Sequence, residues 1–199
     1  MPKIINHDEY RRQLLNQCFG LFAEYGYASL SMRQIAGFLG VSTGTLYHYF
    51  PNKLAMFEQL LILITEEDIA FGSRMMEISG VEDRLRAFFT HVFESEERFM
   101  RKFMILHEYI RQEKTGAVPE QHSAIQRTIG EYIRLCEQLV GDRKIGVFML
   151  AVIHGLLIQR YINGAATSYE EQAELAVDMI LRRVEEPWEN HSRLQPKAP

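Results

Sequence analysis

The chain is poor in cysteine, tryptophan and proline, with two, one and six of them in 199 residues, and it has no surplus of positive charge. Cys18 and Cys136 lie far apart, which excludes a disulfide framework and any C-x-x-C redox or metal spacing. They read as buried thiols of a reducing compartment, with the cytoplasm as the expected location. Long apolar runs are missing as well. Met1 to Arg12 has no apolar h-region, and the longest nearly uncharged stretch, Ile145 to Ile158, falls short of the roughly 20 residues a membrane span needs, so neither export nor insertion is expected. Basic residues number 22 against 26 acidic ones, a net charge of −4, and as an average over the chain this disfavours phosphate-binding partners. What remains, 47% apolar and 24% charged residues, is ordinary globular composition, with chain enough for one domain or two small ones.

Strictly alternating apolar stretches are nearly absent, while apolar residues recur at spacings of three and four over long segments, so the expected fold class is all-α. Leu15, Cys18, Phe19 and Phe22 make one stripe of a first helix that Tyr25-Gly26-Tyr27 ends. Ser31 with Gln34 forms a capping box, flanked by Leu30 and Ile35 at staple positions, and starts a second helix at Met32 whose core face is Met32, Ile35, Ala36 and Leu39. Gly40 supplies a left-handed stop, and Ser42 caps a short third helix that Pro51 ends. Six longer helices follow, at about 53–76, 81–95, 97–114, 119–140, 143–163 and 169–184, for about nine in all. The expected organisation is a head at 1–52, a larger helical body at 53–184 and a flexible tail at 185–199.

Two helices joined by a Gly-containing turn, the second short, follow the plan of a helix-turn-helix. With Leu46 and Phe50 turned inward, Thr43, Gly44, Thr45, Tyr47 and His48 point partly or wholly outward. Small hydroxyls, a phenol and an imidazole suit close approach to phosphates and base edges, although a solvated polar face would use the same residues. Lys53 stands in the first turn of the fourth helix, where the helix dipole disfavours a cation by about 0.3–1 kcal/mol. Stability does not account for it, and a phosphate held by its ammonium and the neighbouring backbone amides would. Arg33 lies on the outward side of the second helix.

The run from Ser31 to Lys53, SMRQIAGFLGVSTGTLYHYFPNK, resembles the DNA-binding signature of the TetR family of bacterial transcriptional regulators. It unites an Arg-x-Ile-Ala helix, a Gly-Val-Ser turn, a Gly-Thr-Leu-Tyr recognition helix and a Phe-Pro-Asn-Lys exit in one ungapped stretch. The resemblance implies phosphate contacts from Arg33 and Lys53, base-edge contacts from Thr43 and Gly44, and mixed contacts from Thr45, Tyr47, His48 and Tyr49. It also implies a double-stranded DNA operator of pseudo-palindromic sequence, a homodimer built through the last two long helices, and release by a small lipophilic effector, with repression as the default. No cofactor and no metal site are expected.

In the body, Ile145 to Ile158 is apolar nearly all round, which calls for burial on most faces, in a core or a subunit interface. The last helix carries a stripe of Ala173, Ala176, Val177, Ile180, Leu181 and Val184, which fits the interface implied by the family. Phe89, Phe93, Phe103, Met104, His107, Tyr132 and His154 are the candidate lining of an effector pocket, since aromatic and Met side chains fit irregular apolar ligands. The same residues equally suit a packed core. His91 and Glu108 are further polar groups within apolar runs.

Enzymatic readings find little support. Gly40-Val-Ser-Thr-Gly-Thr45 lacks the Lys of a phosphate loop and follows a helix rather than a strand, and there is no G-x-S-x-G or H-E-x-x-H. A second alternative is an all-α carrier or scavenger of lipophilic molecules whose head does not bind DNA, against which the outward Tyr47 with Lys53 argues. The charge is also unevenly spread. Within residues 1–55, Lys3, Arg11, Arg12, Arg33 and Lys53 oppose Asp8, Glu9 and Glu24, a net +2, which leaves −6 on the remainder. A weakly basic head on an acidic body would turn the correct end toward DNA.

Overall fold

A computed structural model describes residues 6–114, 123–166 and 168–185. Among them are nine α-helices, two short 3₁₀ turns and no strand: α1 His7–Tyr25, α2 Met32–Phe38, α3 Thr43–Tyr49, α4 Lys53–Arg74, α5 Val81–Glu94, α6 Glu96–Lys114, α7 Ser123–Val140, α8 Arg143–Asn163 and α9 Tyr169–Glu185. The all-α expectation and the count of nine hold. The expected start of α7 near Pro119 and the expected tail beyond Glu185 lie outside the described residues.

The helix boundaries have local causes. Gly26 ends α1 at φ 78°, a backbone angle that side-chain-bearing residues rarely adopt, and donates its N–H back to the Phe22 carbonyl. The capping box is complete: Ser31 Oγ accepts from Gln34 N, while the Gln34 side-chain oxygen accepts from Ser31 N at 3.0 Å. Ser42 Oγ accepts from Thr45 N at 2.9 Å to open α3, and Asp142 does the same for Lys144 and Ile145 at the start of α8. Ser168 caps α9 through Glu171 N at 3.2 Å.

The described chain forms two compact units. One comprises residues 1–73 and 94–132. Its core runs without a break from the head (Leu15, Cys18, Phe22, Ile35, Leu46, Phe50) into α4, α6 and α7 (Phe57, Leu60, Ile105, Tyr109, Ile125). Phe57 stacks on Tyr109 at 4.7 Å between ring centroids, and Tyr27 meets both rings edge-on. Aromatic burial of this kind welds the head to α6. The other unit comprises, among the described residues, 74–93, 133–166 and 168–185, and holds α5, the end of α7, α8 and α9. Its core includes Leu85, Phe89, Leu139, Met149, Ile153, Tyr169 and Val177. Both cysteines are buried free thiols, and burial pushes each thiol up to about 12, so neither forms a reactive thiolate near neutral pH.

Two expectations need correction. The stripe on α9 assigned to a subunit interface, with Ala173, Ala176, Val177 and Ile180, is buried within the chain's own second unit. The apolar groups α9 leaves uncovered are instead Leu175 and Met179, each 53% exposed. The broad apolar character of α8 is likewise only partly answered by packing. By length and composition Arg143–Asn163 does reach what a membrane span needs, against the expectation drawn from Ile145 to Ile158 alone, and 28% of an apolar 18-residue window within it is buried. Val147, Phe148, Tyr161 and Ile162 remain exposed on it.

Candidate nucleic-acid interface

The seven residues of α3 divide by helical spacing into a held face and an open one. Leu46 and, just past the helix, Phe50 are fully buried and fix the helix to the core. Gly44, Tyr47 and His48 are exposed, Tyr47 by 50%, and Thr43 and Thr45 are half-buried. The Thr45 hydroxyl lies 2.8 Å from Ser42 Oγ, so the residue closes the helix start as well as facing outward. Arg33 is exposed on α2.

Tyr49 departs from this pattern. It is 9% exposed, packs at 5.4 Å against Tyr10, and its hydroxyl lies 2.8 Å from His7 Nδ1. Rather than reaching outward, the phenol anchors α3 to the start of α1. The cause is the helical period: Tyr49 follows Leu46 by three residues and therefore shares its inward face.

Lys53 has an internal explanation that the helix-dipole argument did not foresee. Its ammonium donates to the carbonyls of Tyr27 and Leu30, each at 2.7 Å, and sits 4.3 Å over the Tyr27 ring. Partial burial lowers its pKa, with the nearby Glu108 carboxylate acting in the opposite sense. Glu108 holds the same loop from the other side. Its two oxygens accept from Tyr27 N at 2.9 Å and Ala28 N at 3.0 Å, and a Cβ on Gly26 would come within 2.8 Å of that carboxylate. The residue considered for ligand orientation is thus a clamp on the loop between α1 and α2, carried by α6. His7 is the other group with no sequence signal, since its partner lies 42 positions away.

The candidate pocket residues fall in both units. In the first, Met104 and His107 are exposed on α6 and Phe103 is half-buried. Tyr132 donates its hydroxyl to Asp68 at 2.6 Å, and Lys102 lies 2.5 Å from the other Asp68 oxygen, in a pair whose side chains are less than a tenth exposed. Desolvation lowers the Lys102 pKa, opposed by Asp68; desolvation, reinforced by the same carboxylate, holds the Tyr132 phenol well above its ordinary value. In the second unit Phe89 is buried, Phe93 stacks on Tyr169 at 5.0 Å, and burial lowers the His154 pKa. A separate groove of about 740 Å³ lies between the start of α8 and the end of α9, lined in part by Ile145, Phe148, Met179 and Val184 with Lys144 and Arg183 at its polar edge. None of the seven candidate residues lines it.

Comparison with known proteins matches residues 14–60 to the family described as bacterial regulatory proteins, tetR family. The repressor Rv1474c of Mycobacterium tuberculosis, an HTH-type transcriptional repressor, is 38% identical over 90 residues, which cover 44% of this chain and 48% of that protein. The chain spans about half the length of the curated relatives it matches. Among solved structures, the TetR family regulator PfmR from Thermus thermophilus has a TM-score of 0.64 at 24% identity over 85% of this chain and 97% of its own. FadR from Bacillus subtilis, solved in complex with stearoyl-CoA, has a TM-score of 0.68 at 17% identity over 85% and 96%. Residues 14–60 thus match the family described as bacterial regulatory proteins, tetR family, and the chain shares the fold of these solved regulators along most of its length.

Proposed function

We propose that the protein is a cytoplasmic, ligand-responsive transcriptional regulator that binds a pseudo-palindromic DNA operator as a homodimer, acts as a repressor, and is released by a small lipophilic effector. Residues 1–52 read DNA and 53–184 sense and dimerise. The observation that carries this reading is the open face of α3. A short helix is held by Leu46 and Phe50 and presents Tyr47, His48, Gly44 and Thr43 outward, next to the exposed Arg33 of α2. These groups suit a major groove, with the two-fold axis of a dimer setting recognition helices about 34–36 Å apart. Lys53 commits two of its three N–H donors to carbonyls, so a phosphate it contacts takes the third. Tyr49 contributes by position rather than by touch.

The effector acts by population shift. A movement of α6 reaches the head through Glu108 and the aromatic stack of Tyr109 on Phe57, and α4 reaches the same loop through Lys53. A coupling of about 1–3 kcal/mol is enough for a useful switch. A lipophilic effector is supported by the aromatic and Met residues of the body and by the acyl-CoA complex of FadR from Bacillus subtilis.

The test is binding to DNA flanking the protein's own gene, against random duplex, over a salt series. Specific binding should weaken about ten- to hundredfold in Tyr47→Ala, a change of about 1–3 kcal/mol at a surface position that leaves the fold intact. Equal affinity for selected and random duplex at every salt concentration would remove the reading.

A further inference from the structure

His7, the first residue of α1, lies outside the family match at 14–60 and outside every motif of the head, yet it stands beside the recognition helix. Its ring is exposed, and its centroid is 6.0 Å from that of His48, itself exposed on α3. Its Nδ1 lies 2.8 Å from the buried Tyr49 hydroxyl. The His48 ring meets Tyr49 edge-on at 5.0 Å, so one phenol holds both imidazoles on the same exposed surface.

This arrangement keeps its geometry whether or not a proton is added. With the ring neutral and its proton on Nε2, Tyr49 donates to Nδ1. With the ring charged, Nδ1–H donates to the Tyr49 oxygen instead. The bond changes direction and survives. The fields around the pair matter as well. The α1 dipole disfavours a cation at its first residue, and a second charge on His48 about 6 Å away repels it. Asp8 and Glu9 pull the other way, with Asp8 shared with Arg11 at 3.9 Å. The titratable residues of α3 are Tyr47, His48 and Tyr49, of which His48 and Tyr49 meet the His7 ring. A DNA phosphate drawn to α3 would add a further counter-charge beside the pair.

We propose that His7 is a further DNA-backbone contact of the head and, through Tyr49, a positioning residue for α3, and that the His7–His48 pair takes up protons as DNA binds, so that affinity rises as pH falls. This rests on the DNA-binding reading above, and the experiment separates the two. A duplex is enriched from a random pool with the full-length protein at pH 7, and its Kd is measured at pH 6.0 and 8.0 over a salt series.

The wild type should bind several-fold more tightly at pH 6.0 than at pH 8.0, because charged imidazoles attract the phosphates and neutral ones do not. His7→Gln, whose amide can still bond to Tyr49, should bind more weakly than the wild type at both pH values and lose at least half of the gain at pH 6.0. Its salt slope there should be smaller by about 0.9 per head. Tyr49→Phe keeps both imidazoles in the chain but removes the hydroxyl that holds His7, and should weaken binding about threefold or more at both pH values, as loss of one hydrogen bond does. A His7→Gln profile that follows the wild type overturns the contact, and an unchanged Tyr49→Phe overturns the positioning role. Failure to enrich any duplex overturns the DNA-binding reading and this inference with it.

Discussion

At the scale of single residues, charge in the wrong place is informative about the fold before it is informative about function. Lys53 stands where the helix dipole resists it, and the two carbonyls of the α1–α2 loop answer that cost inside the chain. Glu108 answers the amides of the same loop. Neither pairing can be read from sequence, because the partners lie 23 and 26 positions away for Lys53 and 80 and 81 for Glu108. The buried trio of Lys102, Asp68 and Tyr132 follows the same logic and lends itself to measurement. Removing one member of a buried pair leaves the other charge without compensation, whereas removing both leaves only a packing problem. Lys102→Met should therefore destabilise the protein by about 3 kcal/mol, and adding Asp68→Leu should restore most of the loss. Urea unfolding of both variants decides the matter. A double variant as unstable as the sum of its parts would mean that Asp68 is held by something other than Lys102 and Tyr132.

At the scale of helices, beginnings and ends were legible because their signals are local. Ser31 with Gln34, Gly40, Ser42, Gly26, Gly141 and Asp142 each act within a few residues, and each stands where the described helices start or stop. Faces were less legible. The period that turns Leu46 inward also turns Tyr49 inward, and the tyrosine hydroxyl disguised this until His7 supplied its partner. The inner stripe of α9 is plainly apolar in the sequence, but hydropathy states that a face is buried and not by what. Glycines within helices show the same ambiguity. Gly146 and Gly155 both lie inside α8, yet a Cβ at 146 would meet the α7 backbone at 2.7 Å from Glu137 N, and one at 155 would meet nothing within 4 Å. Gly155→Ala should stabilise by about 0.5–1 kcal/mol through helix propensity alone. Gly146→Ala forces two helices apart, and the expected overpacking cost of about 1–3 kcal/mol outweighs the same propensity gain. Chemical denaturation should return opposite signs for the two, and a stabilising Gly146→Ala would show that α7 and α8 do not approach so closely.

For the whole molecule, the distribution of charge and of uncovered apolar surface points in one direction. The net +2 of residues 1–55 suits a head that meets phosphates, and the −6 elsewhere discourages indiscriminate contact. The second unit leaves Phe148 exposed by 46%, Leu175 and Met179 by 53%, and Tyr161 and Ile162 by 65% and 71%, all on α8 and α9. Of these, Phe148 and Met179 are brought together, and exposed apolar groups that meet across two helices suit a contact surface. Phe148 and Met179 also line the groove between these helices, so a partner's side chains have a recess to enter. The proposed homodimer, if built through this surface, would cover the apolar face of α8 that its own chain leaves open. Phe148→Glu combined with Met179→Glu would place two carboxylates per subunit in that contact, where unpaired charges are costly, and both positions are exposed enough in the single chain to accept them. The wild type should elute at twice the chain mass of 23.2 kDa in light-scattering chromatography, and the variant at the chain mass itself. With the two heads no longer linked, affinity for a two-half-site duplex should fall by about a hundredfold or more while affinity for a single half-site stays unchanged. A variant that remains dimeric would place the subunit contact elsewhere, and one that loses half-site binding as well would show damage to the head rather than to the dimer.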